Sequence, residues 1–424
     1  NTCRTCGKGL LAMFPSDTPF IVYCNACWWS DAWDPLSYGR DYDFSRSFFE
    51  QYRDLVRAVP TMALSVETPR MVNSEYCNAA GGLKDCYLVF HADDSERTYY
   101  SYFIGFTKDS CDVIWASESE LCYESSVLYQ CYRCLYSSDC ETSHSLYFCR
   151  DCIGCTDCIG CSGLRNKQYH IFNTPFTKEA YELEKEKMRL HTRDGVEEVR
   201  GKTLSFWNTT PVPHLHGKKY EDVTGDYIGN AKRVRDSFHV YDAEECRYCA
   251  FLYMNIKDAY DYSSWGMEAS RIYDSQNVGQ KAYNVIFSSQ TYDNVMDVRY
   301  SHHCLNSSNL FGCVGIRKNE YCILNKQYSK EEYFALKEKI VARMKERGEY
   351  GEFFPFALSP YPYNDTCSYD WFPKSREEYF SLLEKDVFSK DLLEKFPERM
   401  SYLWQEDVSV AQEYQYEEVP DDIN

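Results

Sequence analysis

Four cysteines near the N-terminus have the type and spacing of a metal site. Cys3 and Cys6 form one C-x-x-C pair and Cys24 and Cys27 another, with seventeen residues between the pairs that begin with Gly7 and Lys8. Two such knuckles can bring four thiolates to a tetrahedral centre, with sulfur about 2.3 Å from a zinc ion, and Gly7 permits the tight turn after the first pair. The expectation is one structural Zn2+ held by Cys3, Cys6, Cys24 and Cys27. With all four positions taken by sulfur there is no place for an activated water, so this metal would fold its module and not catalyse.

A second group, CRDCIGCTDCIGC, places Cys149, Cys152, Cys155, Cys158 and Cys161 at intervals of three. Thiolates spaced in this way are common cluster ligands, so a metal or iron-sulfur centre is one reading. The chain supplies its own comparison, because GCSGLRNKQYHIFNTPFTKEAY (160–181) returns 152 residues later as GCVGIRKNEYCILNKQYSKEEY (312–333). The match continues upstream through Asn78 and Asn230, Trp115 and Trp265, and Ser137-Ser138 and Ser288-Ser289, which marks a duplicated unit of about a hundred residues. In the second copy the five thiol positions read Ser301, Cys304, Ser307, Leu310 and Cys313. Further upstream, Cys86 aligns with Phe238, Cys111 with Tyr260, Cys122 with Ile272, Cys131 with Ala282, Cys134 with Val285 and Cys140 with Thr291. A metal ligand does not survive exchange for Leu or Phe, whereas a thiol acting as a small hydrophobe does. Most of these cysteines therefore read as reduced core residues, with a cluster at residues 149–161 and disulfides as the alternatives.

Other chemistry-bearing residues are scattered. Asp109, Asp112, Glu118, Glu120 and Glu124 could supply the facing carboxylates of a glycan-cleaving strand ladder, or the solvated face of an acidic protein. His144, His302 and His303 fall inside the repeats and read as packing residues, and His214 and His216 read as loop residues without an acidic or thiol partner at useful spacing. There is no Gly-rich phosphate loop, H-E-x-x-H helix, nucleophile elbow or dinucleotide fingerprint, so no catalytic residue and no organic cofactor is assigned.

The elements that must carry these residues are short. In the first copy Cys122, Cys131, Cys140, Cys149 and Cys158 stand nine apart, separated by runs of Tyr, Val, Ile and Ser broken by Asp, Gly and Ser. Such runs read as short strands between tight turns, and the expectation is a mainly β chain: a tandem β-solenoid of two duplicated units, about nine residues per strand and turn, with an N-terminal zinc ribbon and short capping helices. The expected order is zinc ribbon 1–34, aromatic linker and capping helix 35–75, first unit 76–176, helix and crossover 177–227, second unit 228–326, helix 327–350, an extended and helical segment 351–404, and an acidic tail 405–424. Helical spacing through Phe48, Phe49, Tyr52, Leu55 and Val56 predicts a helix that caps the first unit. Thr177 and Ser329 predict helix starts at the end of each repeat, and Ser375 predicts a third helix of the same kind.

With 424 residues the chain is long enough for several modules, and 38 Tyr and 24 Phe suit stacked strand ladders. A net charge of -19 argues against a general nucleic-acid or acidic-membrane binder, leaving nucleic acid to a larger complex or to Arg4 and Lys8 of the ribbon. No run of eighteen apolar residues or signal-peptide pattern is present, and C-x-x-C pairs among the 22 cysteines favour a reducing cytoplasmic or intracellular setting. The chain begins with Asn1 and not with Met, which is compatible with a truncated or processed chain.

The phrases WWSDAWDPLSYGRDYDFSRSFFEQY, LYFCRDCIGCTDCIGC, LRNKQYHIFN and GEFFPFALSPYPYNDT resemble a family of zinc-ribbon, Cys- and Tyr-rich repeat proteins of ultra-small uncultivated bacteria and giant viruses. The resemblance spans most of the chain and implies no activity. The functional expectation is a non-enzymatic zinc-containing scaffold that binds protein partners or self-assembles within a ribosome-associated complex, filament or virion. The alternative is an enzyme, either a glycan-cleaving solenoid or a thiol or iron-sulfur redox protein centred on Cys149 to Cys161.

Overall fold

In the computed structural model, which describes residues 1–405, the interior is spaced by three. From Ser74 to Cys161 every third residue is buried, and the residue before it is in the left-handed region at nearly every step, as at Asp85, Leu88, His91 and Asp94. A left-handed L-residue costs roughly 1–2 kcal/mol, so a repeated cost of this kind needs a repeated return. It comes from the backbone amides. The left-handed residue donates its N–H to the carbonyl thirteen before it (Asp85 to Val72, 2.9 Å; Arg97 to Lys84, 2.9 Å). The residue preceding it donates to the carbonyl eleven ahead (Lys84 to Ser95, 3.0 Å; Lys108 to Ser119, 2.9 Å).

The third amide, on the inward residue, is buried and must find an acceptor. Side chains provide it: Cys122 N–H donates to Ser110 Oγ (3.0 Å), Cys149 N–H to Ser137 Oγ (3.1 Å) and Cys155 N–H to Ser143 Oγ (3.0 Å), each twelve residues back. The hydroxyl proton in turn goes to carbonyls two before and nine after, as from Ser143 to Glu141 (2.8 Å) and Cys152 (3.4 Å). Thiols donate along the same two directions, Cys149 to the carbonyls of Tyr147 and Cys158, both at 3.5 Å. A short side chain with one proton and one lone pair is what the position asks for, so Ser, Thr and Cys exchange there.

The chain is mainly β, with two large, mostly parallel sheets and several short helices. Neighbouring strands are offset by twelve residues in the first repeat, where Tyr87 faces Tyr99 and Cys111 faces Tyr123. The expected nine-residue step is therefore corrected. Nine is the reach from an inward thiol or hydroxyl to the carbonyl it bonds, whereas the stacking repeat is four triplets. In the second repeat the offset is twelve at the ends (Phe238 with Ala250, Ser308 with Glu320) and thirteen in the middle (Ile256 with Ala269, Ala269 with Ala282). The additional residue falls beside consecutive left-handed pairs such as Met254-Asn255 and Gln280-Lys281. Phe238, aligned above with Cys86, is 53% exposed, and the fully buried Val234, twelve before Cys246, lines the interior instead.

The chain divides into two compact units, residues 64–213 and residues 1–63 with 214–405. In the first, the last rungs are covered by two helices, Lys178–Lys187 behind the Thr177 N-cap and Arg193–Trp207, the latter inside the segment expected as crossover. Tyr181, Val196 and Val199 from these helices pack on Phe148, Ile159 and Ile171. In the second, Phe48–Ala58 begins with a capping box of Ser47 and Glu50, and its Phe48 ring meets Tyr300 and Phe311 at 5.1 and 5.5 Å. This helix thus packs on the second repeat, a correction to its expected place over the first, because its aromatic face covers the Tyr300 and Phe311 rings and buries them fully. Lys330–Glu346 and Arg376–Lys385 start at the expected capping boxes of Ser329 and Ser375. Each sheet's final rung is closed by an Asn amide that imitates a strand: Asn173 bonds the backbone of Ser162 through both side-chain atoms, and Asn325 that of Val314. The expected acidic tail lies, apart from Gln405, outside the described residues.

Two outcomes follow from this packing. Ser143→Ala deprives the Cys155 amide of its acceptor and should cost about 1–3 kcal/mol, read as a lower urea midpoint, while Ser143→Cys should keep most of the stability. Glu349, 2% exposed at the start of helix Phe48–Ala58, is raised above the usual carboxylate range chiefly by burial, which outweighs the Phe48 N–H bond and Arg347. A carboxyl raised on folding contributes stability below its unfolded pKa and loses it as pH rises through the folded value. The thermal midpoint of Glu349→Gln relative to wild type should therefore climb as pH rises above the ordinary carboxylate range; a constant difference would contradict the assignment.

Candidate metal centre

The Sγ atoms of Cys3, Cys6, Cys24 and Cys27 all lie within 4.8 Å of one another. Two local structures bring them there. At the first, Cys3 N–H donates to Lys8 O (2.9 Å) and Gly7 N–H to Cys3 O (3.0 Å), with Gly7 left-handed at φ 72°, so the chain folds back around the first pair. At the second, Cys24 is the N-cap of the short helix Asn25–Trp28, which carries Cys27. Cys24 N–H donates to Cys3 Sγ at 3.3 Å, and Cys6 Sγ stands 3.8 Å from Cys24 Sγ. Sulfurs about 2.3 Å from a tetrahedral zinc lie about 3.8 Å from each other, so the donor set fits the ion.

The electrostatics point the same way. Burial opposes ionisation of Cys3, but backbone N–H groups of Cys6, Cys24 and Thr5 aimed at its sulfur bring the thiol down to about 6. Cys27 shares its proton chiefly with Cys24 and is pushed up to about 12. Several thiolates cannot gather here unless a cation compensates them, and a divalent soft metal on four sulfurs does so.

The second knuckle is tied to the second repeat through the residue after Cys27. Trp28 is fully buried, donates through Nε1 to Pro60 O (3.3 Å) and packs with Met62 and Leu305. Its ring lies 4.8 Å from His303, and the Arg317 guanidinium sits 4.6 Å from Trp28 and 4.8 Å from Trp33, a cation between two π faces. The strand Val22–Tyr23 pairs in parallel with Thr61–Met62, and Phe14, Phe20 and Val22 build a small core with Ala63 and Tyr402. Metal binding and the packing of this aromatic seam are thus coupled.

The other sequence candidates fall elsewhere. Cys149, Cys152, Cys155, Cys158 and Cys161 are fully buried, and each donates to backbone carbonyls; among the described residues they do not form a group converging as the ribbon thiols do. Cys111 stands outside the inward frame, donating to Asp112 Oδ2 at 3.3 Å, and burial together with that carboxylate pushes it up to about 12. Asp109 accepts from Arg97 (2.8 Å), Glu118 from Gln130 (2.8 Å) and Glu124 from Arg200 (2.9 Å), while Glu120 is exposed. The Arg97 and Gln130 bonds belong to a polar ladder at the twelve-residue offset, which also contains Lys84 to Glu96 and Asn73 to Asp85. His144 bonds Thr156 at that offset, and His302 Nδ1 bonds Ser289 Oγ. Burial lowers His302 to about 4 and His303 well below the usual range, so both are neutral packing residues. His216 departs from expectation: its ring meets the Asp226 carboxylate at 3.1 Å and stacks on Tyr227 at 4.8 Å. That partner lies ten residues on, across a strand offset that spacing alone does not show.

No protein-family model matches the chain, and no curated protein matches it. Among solved structures, a protein provisionally described as an acetyltransferase from Desulfovibrio desulfuricans G20 aligns over 64% of this chain and 81% of that one, with 9% identity and a TM-score of 0.14. A likeness of this size carries no argument about fold or activity. Among the described residues no helix is long and apolar enough to cross a membrane.

Purified protein should carry one zinc per chain by elemental analysis, and Cys6→Ser should lower that content and shift tryptophan emission to the red as the seam around Trp28 loosens. Full zinc retention in Cys6→Ser would contradict the four-thiolate assignment.

Proposed function

We propose that the chain is a non-enzymatic scaffold: a four-thiolate zinc ribbon joined to a tandem β-solenoid that binds protein partners or copies of itself within a larger intracellular assembly. The observation carrying this reading is the site itself, since the four thiols that can gather around one ion fill its coordination and leave a structural role. The outward columns support it. Tyr87 and Tyr99 are each 40% exposed along one register line of the first repeat, and Tyr260 and Tyr273 are 47% and 41% exposed along the corresponding line of the second. Exposed aromatic rows in register of this kind are what repeat proteins present to partners. The proposal extends to the resemblance noted above, that of zinc-ribbon repeat proteins from minimal bacterial and viral genomes.

Light scattering on zinc-loaded protein, alone and with native extract, tests this reading. The expected result is a stable assembly of fixed stoichiometry that is weakened by Tyr260→Ser with Tyr273→Ser while zinc content and melting temperature hold. Turnover of an oligosaccharide or a thiol substrate by the zinc-loaded protein would overturn it.

A further inference from the structure

The twelve-residue offset sets six of the inward thiols of the first repeat in vertical pairs. The pairings Tyr123 with Leu135, Glu141 with Ile153 and Arg150 with Ser162 fix the register. It places Cys122 beside Cys134, Cys140 beside Cys152 and Cys149 beside Cys161, each next to a parallel pairing or bridge, with both members of every pair buried in the same interior. All six thiols are free and at most 2% exposed. The second repeat has no such pair: Cys246 faces Ala259, Cys322 faces Leu310, and Cys249, Cys304 and Cys313 have Tyr262, Thr291 with Ile316, and Ser301 as register neighbours.

We propose that Cys122/Cys134, Cys140/Cys152 and Cys149/Cys161 are reversible disulfide sites that staple adjacent rungs of the first repeat when a peroxide reaches them. Strands in a sheet are about 4.8 Å apart, inside the Cα separation a disulfide accepts, although same-facing Cβ atoms at that spacing are at the wide end of the allowed range. The bond therefore pulls two rungs together, and strained disulfides are the readily reduced ones. The sulfurs of each pair also sense one another: Cys134 and Cys140 are pushed up chiefly by Cys122 and Cys152, and Cys149 by burial and then by Cys152 and Cys161, while Cys122, Cys152 and Cys161 are lowered by their thiol neighbours.

Burial decides between this chemistry and a soft-metal ladder on the same sulfurs. A metal would leave anionic thiolates in an apolar interior, a large desolvation cost, whereas a disulfide is neutral. In the step, the acceptor sulfur attacks one peroxide oxygen, the O–O bond breaks, and a sulfenic acid and one water result. The neighbouring sulfur then attacks that sulfur, the S–S bond forms, the S–O bond breaks and a second water leaves, so two thiols and one hydrogen peroxide become one disulfide and two waters. Thiols three apart, Cys246 and Cys249 among them, also perturb one another. A left-handed residue between them turns the chain, so no strand pairing holds their Cα atoms together.

The test is mass spectrometry of non-reduced peptides from native, zinc-loaded protein after hydrogen peroxide, with zinc release followed separately to account for the ribbon thiols. Expected are links between residues twelve apart at the three pairs, absence of links among Cys246, Cys249, Cys304, Cys313 and Cys322, and reversal by dithiothreitol with return of the original melting temperature. In Cys152→Ser, where serine suits the inward position, the Cys149–Cys161 link should persist and Cys140 should stay free. Links predominantly between residues three apart, sulfinic acids without links, or unreacted first-repeat thiols when the ribbon has already lost its zinc would each overturn the proposal.

Discussion

Everything in the repeats depends on giving an acceptor to a backbone N–H that has nowhere else to go. A chain that buries every third residue buries that residue's amide as well, and an unmatched buried donor costs about 1–3 kcal/mol. Across a repeat, such losses would exceed the stability of an ordinary domain. Interior Ser side chains remove the problem at the rungs where they stand, accepting from twelve residues ahead and donating to carbonyls two behind and nine ahead, and interior Thr and Cys donate in the same two directions. The same constraint explains why Leu and Val can stand among them only as part of a mixed interior, as Leu146 does between Cys134 and Cys158.

From that constraint the rest of the molecule follows in layers. Rungs held by backbone and interior bonds are stiff, so their outward residues line up in columns. Polar columns become ladders of Lys, Arg, Asn and carboxylate pairs, and aromatic columns become stacks such as His91, Phe103 and Trp115, with centroids 4.7 and 4.1 Å apart. The last rung needs a cover, which a helix and an Asn amide supply in each repeat. The ribbon uses a different device, four sulfurs in place of a core, and Trp28 hands the order imposed at Cys24 and Cys27 to the aromatic seam at Trp33, His303 and Arg317.

Much of this was legible in the chain. The paired C-x-x-C motifs located the four thiols that converge, the 152-residue self-match located both repeats, and the exchange of Cys149 for Ser301 and Cys158 for Leu310 located the interior. The helix starts at Thr177, Ser329 and Ser375 were readable because an N-cap is a local feature. What was not legible was non-local or of unfamiliar period. Cysteines nine apart suggested a nine-residue repeat, since three triplets and four triplets look alike until the strand partner is known. Arg193–Trp207 was hidden by Gly195 and Gly201, which weaken its helical pattern, although the Thr192 cap was a usable signal. The docking of Phe48–Ala58 on the second repeat joins residues some 250 apart, which only the fold reveals. Asn173 and Asn325, repeated at the same point of both copies, could have been singled out as strand ends.

The central claim is a register, and sulfur positions report it most directly. Anomalous diffraction at a wavelength where sulfur scatters should place the Cys140 and Cys152 atoms, and those of Cys149 and Cys161, as neighbours in columns with a rise of about 4.8 Å between strands. Sulfurs of residues 149–161 gathered about a common metal peak, or columns built from residues nine apart, would contradict the account.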